Sequence, residues 1–303
     1  MGLKLKACFL FFLIFIYACA DKEVPKKVSL KKTTSQTLQI PSDVGSLRFG
    51  FDLRLGPKED MRIYIPFLRY LEMNTSNKFK IKFAEKYETT IDLLGKGVIH
   101  FAAIGPMSYI QARDRYGVIP LVRGLNSEGK AEYRAAIIVK SGSDIKGIRD
   151  IKERSFAFGS RYSTQGHLIP RKMLEDRGIT MDDLSYYSFT GSHAEVARVV
   201  INGEYDAGGL QDTLAKRLEK DGKVKIISLS KPYPSSLICA NKDVHPPILK
   251  AVRQVLLQLE PSGKHREILI DWDKTEMPMG FVEAKDSDYE GLRRLAYKYG
   301  LIR

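Results

Sequence analysis

The sequence is poor in cysteine, with only Cys8, Cys19 and Cys239 along 303 residues. Three are too few for a disulfide framework, and their spacing matches no Cys-x-x-Cys metal site. No redox or zinc chemistry follows, and no cofactor or metal is called for. Also missing is an apolar run of the ~20 residues that a bilayer-spanning helix needs. No segment repeats at a fixed period, which excludes a solenoid or a propeller. Acidic residues fall short of basic ones, 36 against 49, leaving a formal charge of +13. That surplus favours anionic partners: phosphate-bearing ligands, nucleic acid or a membrane surface. The lysines form no basic segment interleaved with aromatics, so nucleic acid is not read as a partner. What is present is ample chain, 44% apolar, for one large domain or two modest ones. Short peptides, fibres and wholly disordered chains are excluded.

Lys4 and Lys6 precede the apolar run Ala7–Ala18, whose length is that of a signal-peptide core and not of a membrane span. The run ends in Ile16-Tyr17-Ala18-Cys19, which resembles the bacterial lipobox. The alternative is an ordinary signal peptide with an incidental cysteine. The resemblance implies that residues 1–18 are a lipoprotein signal peptide and that Cys19 is lipidated as the mature N-terminus. More than one acyl chain there holds a protein stably at a membrane without a spanning helix. Residues 19–45 carry five lysines, Lys22, Lys26, Lys27, Lys31 and Lys32, among Ser, Thr and Gln with no aromatic residue. Such a composition cannot bury enough apolar surface to fold alone and reads as a flexible tether.

From residue 46 the pattern changes. Leu47, Phe49, Phe51 and Leu53 alternate with Arg48, Gly50 and Asp52, which predicts a strand with one buried face. Phe79, Ile81 and Phe83 repeat it. Ile63, Phe67, Leu68 and Leu71 between them recur at helical spacing, with Pro66 obscuring the helix start. A helix over about Tyr87–Lys96, a strand at Val98–Ile104 and a helix opening at Pro106 follow. After a strand at Ala135–Val139 the alternation begins again: strand Phe156–Phe158, helix His167–Arg177, strand Tyr186–Phe189, helix Glu195–Asn202, strand Tyr205–Leu210. Strands at Val224–Leu229 and Leu237–Ala240 and a helix at Ile248–Leu259 complete the series, with Cys239 as a small core residue. The fold class is α/β, two lobes each with a mostly parallel sheet flanked by helices. Residues 46–136 with 238–303 are assigned to lobe 1 and 137–237 to lobe 2.

Two segments in the second lobe stand out. Ser163-Thr164-Gln165-Gly166 follows a predicted strand and leads into a helix. A helix start offers unpaired N–H groups and the positive end of the dipole, so it serves either as a plain cap or as a receptor for a tetrahedral oxyanion. Ser192-x-x-Glu195 forms a capping box for the next helix. His193 falls in its first turn, either solvated or placed to donate to an anion.

These segments, in this order, resemble the periplasmic substrate-binding proteins of phosphate/phosphite/phosphonate ABC importers, which have the type II periplasmic-binding fold. The resemblance covers roughly 46–275. It rests on Leu47–Asp52, Phe83–Tyr87, Gly105-Pro106-Met107-Ser108-Tyr109, Phe158–Pro170, Gly191-Ser192-His193 and Asn202–Gly208. It implies that Ser163 and Thr164 hold the anion's oxygens, with Gln165 donating an amide in place of a third hydroxyl. It also implies roles for His193 and Tyr87. Ile104 stands where the family often has an aromatic residue, a place Tyr109 or Tyr162 would fill. Gln211 and Asp212 occupy the neighbourhood from which the family reads a ligand's amino group.

The function expected is capture of a small phosphorus oxyanion (phosphonate, phosphite or phosphate) between the lobes, outside the cytoplasm at the membrane, for delivery to ABC permease subunits. The alternative is a ligand-sensing module that presents occupancy to a membrane sensor. An enzyme would need a positioned nucleophile and base, and Cys239 has no evident histidine partner; the chain is read as non-enzymatic.

Overall fold

The computed structural model of the chain describes residues 45–83 and 87–302, without the side chains of residues 87–89. The signal-peptide, Cys19 and tether assignments lie outside the described residues, which belong to one compact unit. Strand β1 (Ser46–Phe51) forms where the alternation predicts, burying Leu47, Phe49 and Phe51. Helix α1 (Pro57–Thr75) begins earlier than the periodicity implied, with Pro57 at its first position and Pro66 inside it. It survives Pro66 because its other face is anchored by Ile63, Tyr64, Phe67, Leu68 and Leu71, all buried. Burial of that many large side chains, ~1.5–3 kcal/mol each, outweighs one lost hydrogen bond. Strand β2 (Lys78–Ile81), helix α2 (Tyr87–Gly95), strand β3 (Phe101–Ile104) and helix α3 (Pro106–Tyr116) follow in the expected alternation.

Strand β4 (Ile119–Gly124) is absent from the expected series, and it carries Pro120, a residue that disfavours an interior strand. It is nevertheless paired on both sides, and the register shifts between Ile238 and Cys239, opposite Val122 and Pro120. The irregularity absorbs the missing donor. The chain then passes through β5 (Glu132–Tyr133) to β6 (Ala135–Lys140), β7 (Ser155–Phe158), α4 (Ile169–Glu175), β8 (Tyr186–Phe189), α5 (His193–Ile201), β9 (Ala207–Gln211), α6 (Asp212–Lys220) and β10 (Val224–Leu229). It returns through β11 (Tyr233–Pro234) to β12 (Leu237–Ala240), α7 (Pro246–Leu257), β13 (Phe281–Glu283) and α8 (Glu290–Lys298).

One sheet has the order β13-β4-β12-β3-β1-β2, the other β10-β6-β9-β7-β8. The crossing segments β5 and β11 pair as a two-stranded ribbon, with Tyr133 opposite Tyr233. The α/β class holds, but the sheets are mixed, not mostly parallel. β1 pairs in parallel with β2 and β3, and β7 with β8 and β9, while β12 and β6 run antiparallel to both their neighbours. Each of these two is the strand that enters its sheet directly after the chain crosses between sheets, so it arrives from the opposite end. Ile104 is buried within β3, and Cys239 is buried in β12. Among the described residues no helix is long and apolar enough to cross a membrane, and no group of His, Cys, Asp and Glu could hold a metal ion.

Candidate functional site

The turn after β7 is shaped by what Pro170 lacks. Thr164–Leu168 forms one π-helical turn before α4, with the N–H groups of His167 and Leu168 both donating to Ser163 O, at 3.1 and 3.0 Å. Pro170 has no N–H for the carbonyl of Gly166; Gly159 N–H takes that carbonyl instead, at 2.8 Å. The two glycine backbones lie so close that a Cβ on Gly166 would sit 3.0 Å from Gly159 Cα. A side chain on either would force the two backbones apart by a few tenths of an ångström. Ser163 caps the turn, its Oγ accepting from Gly166 N–H at 2.9 Å. The helix thus starts earlier and wider than the expected His167, and its opening residues are held against the end of β7.

Ser192 caps α5 as expected, accepting from Glu195 N–H at 3.1 Å. The reciprocal half of the box is replaced, because the Glu195 carboxylate pairs with Arg198 at 2.7 Å. His193 follows directly, buried, with Nδ1 lacking a partner among the described residues.

Ser163, Thr164, Gln165, Tyr162 and His193 line one pocket, together with Asp52, Arg54, Gly105, Pro106, Ser108 and Tyr133. The walls therefore come from both sheets and from the crossing ribbon. Gly105 marks the point of convergence: a Cβ there would lie 3.8 Å from Asp52 Oδ2, 3.9 Å from Arg54 Nη2 and 4.0 Å from Thr164 Oγ1. Met107 N–H at the start of α3 donates to Thr164 Oγ1 at 3.0 Å.

The electrostatics are finely set. Arg54 pairs through Nη1 with the buried carboxylate of Glu276, and its Nη2 donates to Ser236 Oγ at 3.3 Å. Asp52 Oδ2 accepts from Gly105 N–H at 3.0 Å and from Ser108 Oγ at 2.9 Å. Burial pushes the Asp52 carboxyl up to about 6, against the pull of the nearby Arg54 charge and those hydrogen bonds. Burial pushes the His193 imidazole down to about 3, with the Arg54 charge adding to the effect. At neutral pH His193 is an uncharged ring with one donor and one acceptor nitrogen.

The other expected residues have different employment. Tyr109 is buried in α3, donates to Asp286 Oδ1 at 2.8 Å and packs on Tyr289 with ring centroids 5.0 Å apart. It is a core residue, because the first turn of α3 points it away from the pocket wall that Ser108 and Gly105 form. Gln165 reaches the pocket, but its Nε2 donates to Arg134 O at 3.0 Å, tying the turn to the crossing segment. Gln211 lies in an adjacent cavity beside Arg54, Asp60 and Glu276. Asp212 opens α6 and pairs with Lys216 at 3.1 Å, in a third cavity with Glu128, Glu132 and Arg134. Tyr87 is the first residue of α2, and its side chain lies outside the described residues. Sequence reasoning missed Asp52, Arg54, Ser108 and Tyr133. The signal that could have found Asp52 and Arg54 is a pair of charges at the end of a buried first strand, which in a parallel arrangement opens onto the ligand crevice.

Residues 49–289 match the family model described as ABC transporter, phosphonate, periplasmic substrate-binding protein. The chain is 25% identical over 253 residues to the Phosphate-import protein PhnD of Mycolicibacterium smegmatis, covering 77% of this chain and 79% of that one. It is 24% identical over 278 residues to the probable ABC transporter phosphite binding protein PhnD1 of Prochlorococcus marinus, covering 86% and 87%. The fold is similar to that of the same organism's PhnD1 solved in complex with methylphosphonate, with a TM-score of 0.76 at 20% identity, over 85% of this chain and 99% of that one.

Proposed function

The chain belongs to the family of periplasmic substrate-binding proteins of phosphonate ABC transporters, which act outside the cytoplasm, and from that premise we propose that it captures a small phosphorus oxyanion and delivers it to ABC permease subunits. The architecture is that of type II periplasmic-binding proteins. One observation carries the reading: the Thr164 hydroxyl and the His193 ring, each from the opening turn of its own helix, line a single pocket with Arg54. Hydroxyls, a neutral imidazole and a guanidinium fixed by Glu276 are donors arranged before a ligand arrives, which lowers the ordering cost of binding. No bond is made or broken in this role.

Ser163, Thr164, Tyr162, His193, Tyr133 and Arg54 are the ligand-facing donors. Segments 46–136 with 238–303 and 137–237 are two lobes that close about the β5-β11 ribbon, driven by a ligand that binds the closed state more tightly. Cys19 carries the lipid that anchors the chain to the membrane after residues 1–18 are removed, and residues 19–45 tether the body to it. Loss of palmitate incorporation in Cys19→Ser tests the anchor; incorporation unchanged by that substitution overturns it.

Titration calorimetry of the protein with phosphate, phosphite and methylphosphonate tests the ligand. Prior unfolding and refolding must remove any carried-over anion. Saturable heat with at least one is expected, and none with any of the three overturns the reading.

A further inference from the structure

Among the described residues lining the pocket, Asp52 is the one acid and Arg54 the one Arg or Lys. An acid in an anion pocket needs a physical account. Asp52 Oδ2 is satisfied by Gly105 N–H and Ser108 Oγ, while Oδ1 is buried and has no hydrogen-bond partner among the described residues. A buried carboxylate oxygen without a donor is unfavourable, the more so when charged. Of the described groups that face Asp52, Arg54 supplies positive charge but shares it between two carboxylates. Arg54 already neutralises Glu276, whose own carboxylate also acts on Asp52. His193 is held neutral by burial, and burial likewise keeps Tyr64, Tyr133 and Cys239 protonated. A fully ionised tetrahedral anion brought against an ionised Asp52 is repelled, because two oxygens of like charge in contact require a proton between them.

This inference rests on the oxyanion reading above. We infer that Asp52 Oδ1 accepts an acidic O–H of a protonated oxyanion, so that the pocket takes phosphorus monoanions and rejects sulfate and alkanesulfonates. The phosphonate and phosphite monoanions each retain one acidic O–H near neutrality and the phosphate monoanion two, whereas sulfate and sulfonates have none to offer. One proton is shared between ligand oxygen and Oδ1, and nothing else is transferred. The selectivity follows from a carboxylate left unpaired (P–OH fills it, S–O⁻ repels it), the type of discrimination that buried polar groups enforce most strongly.

The test titrates the full chain, freed of bound anion, with methylphosphonate, phosphite, sulfate and methanesulfonate at several values from about pH 6 to about pH 9. Methylphosphonate affinity is expected to fall by up to about tenfold per pH unit above the ligand's second ionisation. Sulfate and methanesulfonate are expected to bind at least about a hundredfold more weakly near neutrality. Asp52→Asn can leave its amide oxygen with Gly105 and Ser108 and turn an NH2 into the pocket. It should flatten the alkaline fall and gain at least about tenfold for sulfate. A thermal melt checks that the variant folds, and the wild-type comparison stands without it. A methylphosphonate affinity that does not fall with pH, sulfate bound as tightly by the wild type, or a folded Asp52→Asn with wild-type selectivity and pH profile each overturns the role of Asp52 and leaves the oxyanion reading intact. No binding of methylphosphonate or phosphite at any pH, nor of phosphate in the titration above, overturns both.

Discussion

The Met107 N–H donates to the Thr164 hydroxyl at 3.0 Å, joining the start of α3, which follows a strand of the six-stranded sheet, to the turn that follows β7 of the five-stranded one. Accepting that bond leaves the Thr164 hydroxyl a proton to donate. On the function proposed above, the same oxygen fastens the two halves of the pocket and offers the ligand a donor.

Thr164→Val keeps the shape and removes both functions. It leaves the buried Met107 N–H unpaired, at a cost of about 1–3 kcal/mol, so the melting temperature should fall. Anion affinity should fall at least about tenfold. Thr164→Ser should restore most of both. Calorimetric titration and a thermal melt read the two effects separately, and a Val variant that binds like the wild type removes Thr164 from the site.

Arg54 and Glu276 are a buried ion pair at the pocket wall. Removing one partner strands the other, which typically costs about 3–5 kcal/mol, whereas replacing both by apolar residues is often neutral. Arg54→Met alone should therefore destabilise the protein and abolish anion binding. Arg54→Met with Glu276→Met should recover stability, measured by urea unfolding, without recovering binding. Recovery of both would mean that Arg54 serves the fold only.

Much of this arrangement is legible in the sequence because local rules write it there. The alternating Leu47, Phe49 and Phe51 and the helix starts at Ser163 and Ser192 are each specified within a few residues. Asp52 and Arg54 are not, since the partners that give them meaning lie far along the chain: Gly105 and Ser108 are 53 and 56 residues from Asp52, and Ser236 is 182 from Arg54. The mixed strand directions are hidden for the same reason. They depend on where β6 and β12 enter after crossing, which no hydrophobic period encodes. β4 was obscured by Pro120. Helices α6 and α8 were missed because each buries only two or three residues on one narrow stripe, with charge over the rest.

Asp212 lies near the position from which the family resemblance expects an amino group to be read, yet it pairs with Lys216 at 3.1 Å and does not line the oxyanion pocket. Asp212→Asn should change the affinity for 2-aminoethylphosphonate by less than about twofold, since a partly exposed ion pair of this kind contributes little even to stability. A loss of tenfold or more in titration would return Asp212 to the site.

Two buried histidines should make the fold sensitive to mild acid. His167 holds Arg161 O through Nδ1 at 2.7 Å, leaves Nε2 without a partner among the described residues, and packs edge-on against Phe158 and Phe189. Burial lowers it from 6.5 to about 4 and lowers His193 to about 3. The unfolded chain takes up these protons first as pH falls. The histidines' contribution is therefore present above pH 6.5 and is lost progressively towards 3 or 4. Asp52 acts in the opposite sense: raised from 3.8 to about 6, it favours the fold most below 3.8, and that contribution is lost as pH rises through about 6. His167→Asn retains a donor for Arg161 O and cannot titrate. Its stability relative to wild type should improve by about 2 kcal/mol between about pH 7.5 and about pH 4.5. Urea unfolding of both proteins at the two pH values reads this difference. A constant difference would show that His167 does not carry the acid sensitivity.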